Sequence, residues 1–510
     1  MTNNTINETK KINYLLTYAF CLLISSLFFL LFSYNSPVYN FNNDVDYHWY
    51  MTLGNGLIRG KLPYRDIFDH KGPIVYFISA FCCLFPKPGI AMLIFEIIVT
   101  SFFFFITFIM CKKTLNTFYS LAAIPLLGFS IFTSWTRFGH GAIVEEYCLP
   151  LLAFFLLIWL EFIFEKKDWN WQNSLIIGVC IGICFWIKLT ILIFFVVPIF
   201  IWIIINLQKK KYQILIKSLI LFLGGFLIIT IPILLFYGLN NALDDLWFAY
   251  FIFNTTAYPD ISFSSFFSTL KGSIGIGPAV VFFILYGTIK FSIRNWRNNT
   301  GKLLLISFLT NLTVTALTCK GNLYYFNILM PYAILGIIES FNFINKNLKL
   351  PLKNNLIYII YFSTFCLAIS ILLSFLPYDA KYSKDDYAPI VIADVIKQYK
   401  DNNHPNTTLL CYLIGDQGIH NLTGILPNNY FFAKNYINQE QFPQIYKCFE
   451  TYIKEQTSDF VITDVTTWIF EYNFLSQYYM PYTGDIETSS YDYTFGFGGH
   501  NLVLLFKKTN

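Results

Sequence analysis

The stretch from Ser33 to Gly89 concentrates the side chains of this sequence that could do chemistry. It contains Asn43-Asp44-Val45-Asp46-Tyr47-His48-Trp49-Tyr50, then Gly60-Lys61-Leu62-Pro63-Tyr64-Arg65-Asp66-Ile67-Phe68-Asp69-His70-Lys71-Gly72-Pro73. A carboxylate such as Asp44 or Asp46 can take the proton of an attacking hydroxyl. A lysine such as Lys71 can hold a leaving phosphate, while the aromatic rings bracket a sugar and an isoprenoid chain. The apolar segment Ile74 to Phe85 that follows is too short to cross a bilayer and is expected to lie in the interface. Carboxylates, a lysine and aromatics gathered at one membrane face suit a lipid-linked phosphate substrate.

Each of these residues also has a plainer reading. Asp44 and Asp46 can be solvated loop acids, and Lys71 can simply snorkel to the headgroups. Val144-Glu145-Glu146-Tyr147 brings two acids to the start of an apolar run, where they either serve a site or only answer a helix dipole. Lys188, in Trp186-Ile187-Lys188-Leu189-Thr190, is either a placed cation or an ordinary loop lysine. Glu96 lies inside the apolar run Ile90 to Ile109, where desolvation makes an acid a functional or paired group by default. Asn254 to Tyr258 can line the same cavity or merely pack a loop. His48, His70 and His140 fall near acids, but no metal-ligand spacing is present, so no metal and no cofactor are expected.

The elements that must position these side chains are membrane helices. Of 510 residues, 55% are hydrophobic, 20% aromatic and only 13% charged, which excludes an ordinary soluble globular chain. Apolar runs of about 18 to 22 residues recur from Tyr14 onward, long enough to cross a hydrocarbon core of roughly 30 Å, and only helices satisfy the backbone there. The run Tyr14 to Phe32 is too long for a signal-peptide core and lacks a small-residue cleavage site, so it is expected to stay as the first span. The net charge of +5 comes from lysines in short loops; it signals topology and points to no nucleic-acid partner. The 11 cysteines lie mostly inside apolar runs as small core residues. Only Cys411 and Cys448 fall in the polar tail, where an oxidising compartment would let them pair.

Lys/Arg clusters at Lys10-Lys11, Lys112-Lys113, Lys166-Lys167, Lys209 to Lys211, Arg294 to Lys302 and Lys346 to Lys353 mark the cytoplasmic side. Between successive clusters the chain must cross an even number of times. This parity splits the long run Leu175 to Ile205 into two short helices meeting at Lys188 on the outer side. It pairs Leu303 to Leu317 with Phe326 to Phe343 around Thr318 to Asn322, and puts Ser33 to Gly89, Trp135 to Glu146 and Tyr237 to Lys271 outside. The expected fold class is a polytopic α-helical membrane protein of about 11 transmembrane helices. The last span, Leu356 to Phe375, delivers a small C-terminal α/β soluble domain to the outer face of the inner membrane. The expected domains are 1–376 and 377–510. Helices are expected at Pro389 to Tyr399 and Pro443 to Glu455, and strands at Thr408 to Ile414, Phe460 to Asp464 and Leu502 to Phe506. Gly496-Phe497-Gly498-Gly499 lacks the strand-loop-helix context of a phosphate-binding fingerprint.

The pattern of Asp46, Gly60, Pro63-Tyr64-Arg65-Asp66 and Phe68-Asp69-His70-Lys71-Gly72-Pro73 resembles the first periplasmic loop of family 39-type glycosyltransferases of the GT-C class. These include the lipid A aminoarabinose transferase and the protein O-mannosyltransferases. Glu145-Glu146 resembles the acidic position of the second outer loop, and Lys188 the lysine that follows a Gly-rich helix. Tyr324-Tyr325, within Gly321 to Pro331, resembles a further aromatic segment, with tyrosine where histidine is common in relatives. The resemblance runs in order over roughly residues 10 to 375. It implies inverting transfer of a hexosyl or pentosyl group from a polyprenyl-phosphate sugar to a lipid, glycan or protein acceptor. The implied base is Asp46 or Asp44, with Asp46 the better match by spacing. Lys71 and Lys188 are the implied donor phosphate ligands, and Glu145, Glu146, His70 and Tyr64 the implied acceptor or sugar contacts.

Two other functions fit a many-spanned chain. A transporter or flippase of a lipid-linked or polar substrate would more often show two similar halves with broken helices, and no such duplication is visible. A polymerase or ligase of surface polysaccharide would carry its key residues in a large late loop rich in arginine and histidine, whereas here the dense loop comes first.

Overall fold

A computed structural model describes residues 13–39, 42, 44–134, 138–256, 277–318, 322–347, 355–373, 388–402, 404–434, 439–482 and 502–508. Helix α1 (Tyr14–Phe32) opens on Asn13, whose side chain accepts the Leu16 N–H at 3.1 Å. Two short helices, α2 (Val45–Ile58) and α3 (Pro73–Cys83), occupy the stretch that follows α1. Then come α4 (Pro88–Lys112), α5 (Thr117–Phe132), α6 (Val144–Phe164) and α7 (Trp171–Ile187). Asn116 and Asn170 cap α5 and α7, and prolines begin α3 and α4, where a missing N–H costs nothing. A 3₁₀ turn, Leu189–Leu192, leads into α8 (Ile193–Gln208), followed by α9 (Tyr212–Leu239). The two helices expected within Leu175 to Ile205 are therefore present, and the backbone breaks at Lys188, which is extended. Further helices cover Pro278–Arg294, Thr300–Thr318, Met330–Asn347 and Asn355–Leu373.

Among the described residues, 7 helices are long and apolar enough to cross a membrane: α1, α4, α6, Leu189–Gln208, α9, Thr300–Thr318 and Leu323–Asn347. The further crossings required by an expectation of about eleven would fall to shorter apolar helices, Thr117–Phe132, Trp171–Ile187 and Leu356–Leu372 among them. The chain is a polytopic helical membrane protein. Its spans are apolar on both sides, as lipid requires: α9 leaves Ile216, Ile220, Leu223 and Leu235 exposed while Phe222 and Ile233 face the protein. Helix α3, 11 residues long, is too short to span and keeps Phe81 exposed, consistent with an interfacial position.

Helix α2 was not expected. Its sequence interleaves Asp46, His48 and Asn55 with tyrosine and tryptophan, so no apolar stripe of helical period is visible, yet nine of its residues are buried. They are covered on one side by α3, where Gly54 closely approaches the backbone of Ser79 and Ala80, and on the other by the C-terminal part of the chain. There, β1 (Leu409–Cys411), β2 (Phe460–Asp464), β3 (Tyr479–Pro481) and β4 (Leu502–Lys507) form a sheet of order β1-β2-β4-β3. Strand β1 pairs parallel with β2, in the register Leu410 to Val461, and β4 runs antiparallel to both β2 and β3. Helices Ala388–Asp401 and Pro443–Lys454 match the two read from periodicity. Three-residue β3 carries too little pattern to have been read from sequence. Cys411 and Cys448 are free thiols. The expected boundary at 376, the glycines at 496–499 and most of the outer turn at 318–322 lie outside the described residues.

The segment after β1 docks on α2 and on the loop that follows it. Asp416 Oδ2 accepts from Thr52 Oγ1 at 2.8 Å, Asn421 Nδ2 donates to the His48 carbonyl at 2.9 Å, and Trp49 packs on Phe432 with ring centres 4.7 Å apart. Arg59 donates to the Gly424 carbonyl at 2.8 Å, Lys61 donates to the Pro427 carbonyl, and the Phe68 N–H donates to the Tyr430 carbonyl at 2.9 Å. A polar-aromatic helix that would be marginal alone in water is thus held from both sides.

Candidate active site

The two aspartates at the start of α2 have different surroundings. Asp44 is the N-cap: its Oδ1 accepts from the Asp46 N–H at 3.0 Å and the Tyr47 N–H at 3.4 Å, satisfying donors that a helix start leaves orphaned. It is buried, and its Oδ2 stands 3.5 Å from His140 Nδ1. Asp46, half-buried on the first turn, faces elsewhere: its charge acts on Tyr50 and Asp69.

The Asp69-His70-Lys71-Gly72 segment is fixed by its backbone. Tyr64 OH donates to the Lys71 carbonyl at 2.5 Å, and Tyr76 OH accepts from the Lys71 N–H at 3.1 Å. Tyr64 is wholly buried in a left-handed conformation (φ 74°), so it supports Lys71 from behind. Asp69 is buried; its Oδ2 accepts from Tyr76 OH at 2.8 Å, and burial pushes its carboxyl up to about 6, with Lys71 pulling the other way. His70 Nδ1 lies 3.1 Å from Asn254 Oδ1, and Asn254 Nδ2 donates to the His70 carbonyl at 2.7 Å. Burial, with Lys71 and Lys188 nearby, holds the His70 imidazole well below the usual histidine range, so it is neutral.

Gly72 links this loop to the break after α7. Its N–H donates to the Ile187 carbonyl at 3.1 Å, and a Cβ at this position would lie 2.0 Å from the Trp186 carbonyl oxygen, so only glycine allows the approach. Next along the chain, the Lys188 ammonium pairs with Glu145 Oε1 at 2.5 Å and lies 3.3 Å from the centre of the Tyr325 ring and 5.3 Å from that of Tyr324. Both partners of the ion pair are buried. Glu146, one residue on, points away: its Oε1 accepts from the Gly139 N–H at 2.8 Å, beside Glu96 and Asp44.

Residues from five separate stretches therefore meet: Asp46, Asp69 with His70 and Lys71, Glu145, Lys188, and Tyr324 with Tyr325. Asp44 and Glu146 lie in a second, buried polar group behind them, and Tyr64 lies beneath Lys71. Sequence reasoning did not pick Asp69 or Tyr76 as site residues; their adjacency to the Lys-Gly-Pro turn was the available signal. Two lysines and two aromatic rings beside three carboxylates can neutralise a phosphate and accept a proton. Among the described residues no group of three or more His, Cys, Asp or Glu side chains is arranged to hold a metal ion.

Residues 70–236 match the profile of the dolichyl-phosphate-mannose-protein mannosyltransferase family. That stretch begins at His70 and includes Lys71, Glu145 and Lys188. No curated protein sequence matches the chain. Among solved structures, the crystal structure of ArnT from Cupriavidus metallidurans bound to undecaprenyl phosphate superposes with a TM-score of 0.60 at 11% identity, covering 96% of this chain and 97% of ArnT. The archaeal oligosaccharyltransferase AglB from Archaeoglobus fulgidus, in complex with an inhibitory peptide and a dolichol-phosphate, does so with a TM-score of 0.50 at 13% identity, covering 92% of this chain and 71% of AglB. At these identities the likeness is one of fold, and it spans the membrane helices and the C-terminal sheet together: the chain has the fold of the GT-C-type membrane glycosyltransferases.

Proposed function

We propose that this protein transfers a hexosyl or pentosyl group from a polyprenyl-phosphate donor to a lipid, glycan or protein acceptor at the outer face of the inner membrane. The observation that carries this reading is the convergence of Asp46, Lys71 and the Lys188–Glu145 pair beside Tyr324 and Tyr325. Asp46 takes the proton of the acceptor hydroxyl as its oxygen attacks C1 of the sugar. The C1–O bond to phosphate breaks on the opposite face, giving inversion, and the phosphate leaves with the electron pair. Lys71 and Lys188 balance the charge that grows on it. Glu145 orients Lys188 and, once the lysine turns to phosphate, is free to hold a sugar or acceptor hydroxyl. His70, neutral and fixed by Asn254, offers a hydrogen bond to the same group. No cofactor is needed, because the donor is already activated by its phosphate.

Purified protein should transfer label from at least one member of a panel of radiolabelled polyprenyl-phosphate sugars to crude membrane acceptors, and Asp46→Asn should abolish transfer while donor binding persists. Movement of a glycolipid across proteoliposomes with no transfer from any donor would instead favour the transporter reading.

A further inference from the structure

Glu96 on α4 and Glu146 on α6 are 1% and 2% exposed and act electrostatically on each other and on Asp44. Both direct one oxygen to the same short turn of the second outer loop: Glu96 Oε1 accepts from the Ala142 N–H at 2.9 Å, Glu146 Oε1 from the Gly139 N–H at 2.8 Å. The other oxygen of Glu146 is buried without a hydrogen-bond partner among the described residues, an unfavourable arrangement that needs a reason, while the Glu96 carboxylate also meets the Asn35 side chain. The turn itself is strained. Gly139, Gly141 and Ala142 have φ of 80°, 85° and 84°, which alanine rarely adopts, so the conformation must be imposed by its surroundings.

What the turn carries explains the arrangement. The His140 carbonyl accepts from Asn42 Nδ2 at 3.0 Å, and His140 Nδ1 stands 3.5 Å from Asp44 Oδ2. Asn42 Oδ1 accepts from the Asp44 N–H at 2.8 Å, and Asp44 caps the turn of α2 that bears Asp46. A continuous path of hydrogen bonds and one close His140–Asp44 contact thus runs from an acid within a membrane helix to the residue proposed as base.

We propose that Glu96 is a positioning residue: with Glu146 it clamps the Gly139–Ala142 turn, which through His140 and Asn42 sets the N-terminus of α2 and the direction of the Asp46 carboxylate. This rests on the role proposed above for Asp46. The clamp acts through an acceptor atom, so glutamine can replace Glu96 but leucine cannot.

The test compares wild type, Glu96→Gln, Glu96→Leu and Asn42→Ala in detergent, by steady-state transfer and by hydrogen–deuterium exchange over residues 44–50. Glu96→Leu should lower kcat about tenfold or more with donor KM within about twofold, while Glu96→Gln keeps at least about half of kcat. Exchange over 44–50 should rise in the leucine variant and not in the glutamine one. Asn42→Ala cuts the path without touching a membrane helix and should reproduce both effects even if Glu96→Leu does not fold. The proposal is overturned by unchanged exchange over 44–50 in Asn42→Ala, by kcat within about twofold of wild type in either truncation, or by a Glu96→Gln loss equal to that of leucine. If wild type transfers from no donor, the glycosyltransferase reading falls, and the exchange data still decide whether Glu96 orders α2.

Discussion

Lys188 and Glu145 form a buried ion pair, Nζ to Oε1 at 2.5 Å, with the ammonium also against the face of Tyr325. Neither charge has water to fall back on, so each depends on the other. Removing one should destabilise strongly, by about 3–5 kcal/mol, because it leaves an uncompensated charge, whereas removing both should be far milder. Thermal melting of detergent-purified Lys188→Met, Glu145→Leu and the double variant checks this: the singles melt early and the double recovers. Transfer should not recover in the double variant, since Lys188 is proposed to turn to the donor phosphate.

The caps and charges around α2 separate two aspartates that stand only two residues apart. Asp44→Asn keeps an acceptor for the Asp46 and Tyr47 N–H groups and should leave kcat within about tenfold of wild type. Asp46→Asn should cost about 10²–10⁴-fold, the usual weight of a general base. Asp44→Ala should lower stability by about 1 kcal/mol from the lost cap. A larger kcat loss in Asp44→Asn than in Asp46→Asn would reverse the proposed assignment.

Gly72→Ala tests the seam between the loop that precedes α3 and the α7 break. The added methyl would meet the Trp186 carbonyl at 2.0 Å, backbone against backbone, so the loop must move away from Ile187 and carry Lys71 with it. Folded protein should still be recovered, with donor KM raised about tenfold or more as Lys71 is displaced. Unaltered donor KM would mean that Lys71 does not contact the donor.

Asp69 gives a pH signature. Burial raises its folded-state carboxyl to about 6, above the ordinary 3.8 of an aspartate, so the native state binds the proton more tightly than the unfolded chain does. Its contribution is therefore fully present below pH 3.8 and is lost as pH rises to about 6. Asp69→Asn, which still accepts from Tyr76 OH, should flatten the fall in melting temperature over that window. An identical pH slope in the variant would place the titrating group elsewhere.

Much of the architecture was legible in the sequence because it depends on quantities local to the chain. Apolar run length determines what can cross a bilayer. Parity alone placed a break in the run Leu175 to Ile205, and the backbone does open at Lys188. Helix Pro443–Lys454 and strands β2 and β4 showed their periods directly. The stretch Asp46 to Pro73 stood out by its density of acids, lysine and aromatics, although Asp69 within it was not singled out.

The tertiary structure decided the division of labour within that set. Asp44 and Asp46, like Glu145 and Glu146, are close neighbours in sequence, but successive helical positions point about 100° apart, so each enters a different environment. One of each pair meets backbone N–H groups and the other meets the charged cluster. Tyr64 looked like a sugar contact and lies beneath Lys71, while Asp69 acquires its raised carboxyl only through burial, which outweighs the hydrogen bond from Tyr76 OH. Helix α2 shows no apolar stripe of its own, and part of its burial comes from a loop segment more than 350 residues further along the chain. Burial and partner identity are properties of the folded chain as a whole, and no spacing in the sequence encodes them.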